Sequence, residues 1–178
     1  MTEINAFVGH SFLDKDEILV RKFLNYFDQV KGIVPGFSWE NAQEAEPDVL
    51  FEKVKRLFAD KHLFIGICTR NEVALPYDAL TAYWWNKNKL ATNKVHVEHK
   101  TSDWIIQEIG FALARDLRVI LFVEEGVRSP GGMQGDLNYI PFRRSSLDRC
   151  FGQFLEMIKA IMASTLVASI SAVSQGAS

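Results

Sequence analysis

One carboxylate in this chain stands where simple patterning would place an apolar side chain. In the segment Ser102-Asp103-Trp104-Ile105-Ile106-Gln107-Glu108-Ile109-Gly110-Phe111-Ala112, Glu108 is surrounded by apolar residues. At helical spacing Trp104 and Glu108 are i and i+4 and share a face, which Phe111 and Ala112 continue. Ile105, Ile109 and Leu113 form the face beside it. A helix starting near Ser102 has Ile105 at the capping-box position, so Glu108 is not consumed in capping. Two roles remain for such a carboxylate. It pairs with an Arg at the edge of the buried face, or it serves as the charged group of a functional site.

Other chemistry-bearing patterns are missing. The chain has no G-x-x-x-x-G-K-[ST], no G-x-G-x-x-G and no G-x-S-x-G, so phosphate-loop, dinucleotide and nucleophile-elbow fingerprints are absent. His96, Glu98 and His99 lack a second ligand pair and read as a solvated polar loop, so no metal site is expected. Cys68 and Cys150 are too few for a disulfide framework. A reducing, cytoplasmic setting is expected. With Lys plus Arg at 20 and Asp plus Glu at 22, the formal charge is -2. That balance argues against nucleic acid or anionic membrane as a partner. The first residues carry no basic, apolar leader, and the apolar part of 160–178 is short of a membrane span.

The elements that must carry these residues alternate. Ala6-Phe7-Val8-Gly9 reads as a buried strand ending in the turn Gly9-His10-Ser11. Asp14 to Val30 has helical apolar spacing with acidic residues in its first turn. Gly32-Ile33-Val34 predicts a second strand, and Phe37 to Pro47 a loop. Asp48 to Asp60 predicts a helix, His62 to Cys68 a strand covered on both faces, and Asp103 to Asp116 a helix. Leu117 to Val123 predicts another buried strand, Leu137 to Phe142 an edge strand carrying Pro141, and Leu147 to about Val167 the last helix. The long segment 71–101 is predicted to hold a helix of its own, Tyr77 to Lys87. The 178 residues fit one domain, and the alternation is that of an open parallel α/β sheet. Such sheets place their sites beyond the carboxyl ends of the strands. That points to Gly9-His10-Ser11 and to the segments after Val34, Cys68 and Val123.

Taken in order from about Asn5 to Ala163, the chain resembles the Toll/interleukin-1 receptor (TIR) domains. Phe7-Val8-Gly9-His10-Ser11 is similar to that family's first strand and Ser-containing turn. Pro35 to Pro47 stands where the family has its BB loop. Ser102-x-Trp104-x-x-x-Glu108 is similar to the motif on the helix before the fourth strand. Two features depart from the pattern: the insertion at about 71–101, and Gly-His-Ser at the first turn.

The resemblance implies a flavodoxin-like, TIR-like domain over 1–163, followed by a tail or linker at 164–178. It implies an NAD+ nucleosidase that breaks the bond between nicotinamide and ribose, releasing ADP-ribose or a cyclic form. NAD+ is then a substrate, and no cofactor is required. Glu108 would be the catalytic carboxylate. His10 and Ser11 would contact ribose or phosphate, or only shape the turn. Phe12 would pack on nicotinamide or on the core, and Trp39 would stack on a base or on a neighbouring subunit. Arg70 would neutralise the pyrophosphate or be solvated, and Trp104 would pack or touch ligand. The resemblance further implies self-association through the BB-like loop, room for a downstream sensor domain, and a bacterial defence or immune setting. A non-catalytic interaction module is the rival reading, and a nucleoside-transferring or nucleotide-sensing role is a second.

Overall fold

The computed structural model describes residues 3–41, 55–76, 80–83, 86–91, 97–130 and 137–175. Five strands form one parallel sheet: β1 (Ile4–Gly9), β2 (Phe37–Asn41), β3 (Leu63–Cys68), β8 (Arg118–Glu124) and β9 (Asn138–Phe142). Their spatial order is β2-β1-β3-β8-β9, the flavodoxin-like order. Every pairing within it is parallel, with Ala6 opposite Leu63 and Leu63 opposite Arg118. β3 is buried at all six positions, as its unbroken apolar run requires. β9 is one of the two edge strands, and this is where Pro141 is tolerated.

Helices cover both faces. α1 (Glu17–Ile33) and the terminal helix α3 (Asp148–Gln175) lie on one face, over Ile4, Ala6, Val8 and Ile65. Aromatic rings dominate that side: Phe23 meets Phe122 edge-on at 4.8 Å, and Phe27 lies 5.1 Å from Phe154. α2 (Asp103–Ala114) lies on the other face with Phe7, Phe58 and Phe64. Successive strand side chains alternate between these two cores.

The structure corrects the expected elements in four places. The predicted strand Gly32–Val34 is not one: α1 runs to Ile33, and the Val34 amide still donates to Val30 O at 2.8 Å. The chain turns at Gly36, whose φ of 88° suits glycine, and only then enters β2. The loop expected over 37–47 therefore begins as a strand. The helix expected over 77–87 is replaced by β5 (Thr81–Tyr83) paired antiparallel with β6 (Asn86–Ala91). Thr and Tyr favour a pleated strand, and Asn86 and Asn88 are poor helix formers. β4 (Glu72–Ala74) and β7 (Glu98–Lys100) form a second antiparallel pair in the same insertion. Finally, α3 continues past Val167 to Gln175. Trp84 and Trp85, and residues 42–47 of the BB-like loop, lie outside the described residues. Among the described residues no helix is long and apolar enough to cross a membrane.

Candidate active site

The sheet order places a switch point between β1 and β3. The chain leaves β1 toward β2 on one side and later returns as β3 on the other. Gly9, the last residue of β1, pairs there with Gly66 of β3. α2 starts at Ser102, whose Oγ accepts from the Ile105 amide at 3.3 Å. Its buried positions Ile105, Glu108, Ile109 and Ala112 form one stripe at i, i+3, i+4 and i+7. Glu108 thus lies in the middle of the apolar seam and is only 2% exposed.

The seam carries the Glu108 carboxylate to the end of β1. A Cβ placed on Gly9 would fall 2.2 Å from Glu108 Oε2, so glycine leaves the space the carboxylate fills. One oxygen is tied: Trp104 Nε1 donates to Glu108 Oε1 at 2.8 Å. The other, Oε2, is buried with no hydrogen-bond partner. No ion pair reaches Glu108 among the described residues, so the Arg pairing weighed from sequence is not what holds it. Burial pushes its pKa from an ordinary 4.5 to about 8, and the Trp104 hydrogen bond opposes that rise. Beside it lies Cys68, fully buried, its thiol pushed up to about 12 by burial. The buried Thr101 hydroxyl makes no full hydrogen bond but faces that thiol and pulls the pKa the other way. A buried carboxylate with a free oxygen is costly, and such groups concentrate at functional sites.

Trp104 is thereby a positioning residue, a role that neither sequence alternative contained. Trp104→Phe removes the one hydrogen bond to Glu108 and is expected to move the carboxyl pKa above 8, measured by carbon NMR of the Glu side chains. An unchanged titration would show that the indole merely packs.

The turn after Gly9 bounds a cleft of about 460 Å³, lined by His10, Ser11, Phe12, Leu13, Glu17 and Arg21 among others. That volume is in the range of small-molecule sites. His10 is buried, and its Nδ1 lies 3.0 Å from Ser11 O while its Nε2 lies 3.2 Å from Asn41 Nδ2. Both contacts are satisfied when Nδ1 carries the proton and Nε2 accepts. Burial lowers the His10 pKa, in keeping with that neutral ring. Ser11 Oγ accepts from the Leu13 amide at 3.2 Å, so this hydroxyl shapes the turn. Phe12 is 42% exposed, its ring 4.8 Å from His10. It is a cleft residue, and the core packing weighed for it is not observed.

Two expected residues lie elsewhere. Trp39 is on β2, not in a loop, and packs half-buried against Phe27 at 6.0 Å, on the sheet face opposite Glu108. Its indole N–H is buried without a partner. Arg70 is engaged: its Nε donates to Glu125 O at 2.8 Å, and its backbone amide donates to Glu124 Oε2 at 2.9 Å. The side chain is 43% exposed, so the guanidinium is solvated as well as engaged. Sequence reasoning named Gly9 only as a turn residue. The structure shows the space that Gly9 leaves for the Glu108 carboxylate, and the one available signal was a glycine closing a strand at the switch point.

No protein-family model matches the chain, and no curated protein matches it. Among solved structures it is similar to a CMP N-glycosidase of Clostridium botulinum, BcmB, at 15% identity and a TM-score of 0.46, covering 87% of this chain and 98% of that one. At that score the likeness supports no conclusion about activity.

Proposed function

We propose that the chain cleaves the N-glycosidic bond between nicotinamide and ribose in NAD+, with Glu108 as the catalytic carboxylate, on a domain of the TIR type. The observation that carries this reading is the Glu108 carboxylate. It is held by Trp104 at one oxygen, lacks a partner at the other, and abuts the end of β1 at the switch point. In the reaction the C–N bond breaks and its electron pair goes to the pyridinium nitrogen. Nicotinamide leaves neutral and needs no acid. The positive charge passes to the ribose as an oxocarbenium ion, which a nearby carboxylate stabilises. Water then adds to the sugar carbon and releases a proton, giving ADP-ribose, or an adenine nitrogen adds and gives a cyclic form. The neutral His10 ring and the exposed Phe12 offer a polar edge and an apolar face to a bound nucleotide.

Glu108 is nearly inaccessible and does not line the cleft. Substrate must therefore reach it through a rearrangement of the strand ends, and self-association through the BB-like loop supplies one. A head-to-tail contact of that kind extends into filaments rather than closing into a dimer. Specific activity is expected to rise faster than linearly over about a hundredfold range of protein concentration, as a second-order assembly step requires. Constant specific activity in a sample that light scattering shows to be monomeric would exclude this route.

The test of the reading is the release of nicotinamide from NAD+ by concentrated, purified protein. Release with formation of ADP-ribose or its cyclic form supports it. Folded protein that releases none at any concentration refutes it. Thermal protection by free nucleotides but not by NAD+ would favour a nucleotide-sensing role.

A further inference from the structure

We propose that Arg144 is a positioning residue that locks the loop carrying His10 and Phe12 by bridging two buried carboxylates, Asp16 and Glu124. Arg144 Nη2 donates to Asp16 Oδ1 at 2.6 Å and to Glu124 Oε2 at 2.9 Å, and its Nε donates to Glu124 Oε1 at 2.8 Å. Asp16 is 0% exposed and Glu124 5%. Asp16 closes the short turn Asp14–Asp16 that leads into α1, so it is the far anchor of the loop whose near anchor is Gly9. Glu124 is the last residue of β8.

The same two carboxylates gather donors from the end of β3. The Thr69 hydroxyl donates to Asp16 Oδ2 at 2.7 Å, and the Arg70 amide donates to Glu124 Oε2 at 2.9 Å. Lys15 Nζ donates to Arg70 O at 2.8 Å, and Arg144 Nη1 donates to Lys15 O at 3.3 Å. Burial would push Glu124 up, yet the hydrogen bonds from Arg144 and the Arg70 amide hold it below the ordinary carboxylate value. Segments around residues 16 and 124 thus meet at the Arg144 guanidinium, and the end of β3 joins them through Thr69 on Asp16 and the Arg70 amide on Glu124.

A planar fork is the group suited to this place. It meets the two Glu124 oxygens through Nε and Nη2 while the same Nη2 reaches Asp16, an arrangement a lysine ammonium cannot reproduce. The clamp fixes residues 10–13 only through their carboxyl end, because the cleft side of the loop faces open space. Asn41 Nδ2 holds the His10 ring from β2 and the clamp holds the far end of its loop, so loosening the clamp lets water reach the ring. The charged groups around the cleft (Asp14, Glu17 and Arg21) are outside the clamp.

The experiment uses Arg144→Lys and Thr69→Val. Lysine keeps the charge that compensates the buried carboxylates but loses the fork, and valine removes one donor to Asp16. His10 titration is followed by NMR, with amide exchange at Leu13 and Asp16, which donate to Ser11 Oγ and Leu13 O. In Arg144→Lys the His10 pKa is expected to climb toward the ordinary 6.5. Exchange at the two amides should speed up on the order of tenfold or more. Thr69→Val should move both in the same direction by less. A folded Arg144→Lys with wild-type His10 titration and exchange would overturn the proposal. If that variant does not fold, an unshifted Thr69→Val overturns it. A third readout rests on the NAD+ reading: the KM for NAD+ should rise about tenfold with kcat changed less. Wild-type protein that fails to cleave NAD+ while His10 still shifts in Arg144→Lys would sink the NAD+ reading and leave the clamp standing.

Discussion

Glu108→Gln is expected to lower nicotinamide release from NAD+ by a hundredfold or more while the chain stays folded. Glutamine keeps the size of the side chain, and its carbonyl can still accept from Trp104 Nε1. What it loses is the charge that the proposed reaction sets against the oxocarbenium ion, and one preorganised electrostatic contact of this kind is worth about a hundredfold or more. The same variant has a second, independent signature. The folded pKa of Glu108, about 8, lies above its ordinary 4.5. Between those values the folded chain keeps a proton that the unfolded chain has lost. The stability of the neutral form is complete below pH 4.5 and is lost as pH rises to about 8. Glutamine is neutral throughout. The Tm of Glu108→Gln should therefore overtake that of the wild type progressively across this range. Near wild-type turnover would sink the catalytic role. A Tm difference that does not change with pH would show that Glu108 titrates normally.

Gly9→Ala should be nearly as damaging, although it adds one methyl group and touches no charge. The new Cβ would lie 2.2 Å from Glu108 Oε2 and 2.9 Å from Phe64 Cζ. Phe64 is a fully buried ring in the α2-side core, so the carboxylate is the part that must move. Displacement of a reacting group by an ångström can cost about a hundredfold in rate. Overpacking should cost about 1–3 kcal/mol in stability. A double-mutant cycle separates the two contacts. In a Glu108→Ala background the clash with Oε2 is gone, and Gly9→Ala should destabilise measurably less. Equal destabilisation in both backgrounds would place the whole conflict on Phe64 and remove Gly9 from the site.

The parts of this molecule that could be read from sequence are those set by local pattern. The unbroken apolar runs ending at Gly9, Cys68 and Val123 marked buried parallel strands, and β1, β3 and β8 lie there within a residue or two. Glu108 was visible because a charge interrupts an apolar helical stripe. Other features depend on contacts that spacing does not contain. β2 was misplaced because Gly32-Ile33-Val34 is as apolar as a strand, while helix α1 gains its last turn there. The helix expected over 77–87 rests on the length of the segment 71–101, and eleven positions are too few to fix a period against strand propensity. That Gly9 seats the Glu108 carboxylate is a contact between residues almost a hundred positions apart. Arg144 and Asp16 are 128 apart, and nothing near either one announces the other. Trp39 shows the opposite failure. Its large apolar side chain suggested an exposed contact residue, but the structure uses it to cover Phe27.

The dependence of kcat/KM on pH tests the role of Glu108 most directly, because that ratio reports ionisation in the free protein. If the ionised carboxylate does the work, kcat/KM for NAD+ should climb with pH and level off above an inflection near 8, where burial places the Glu108 pKa. The pyridinium cation of bound NAD+ favours the carboxylate, so the inflection in kcat should fall at lower pH. A kcat/KM that is flat between pH 6 and 9 would contradict the assignment of catalysis to Glu108.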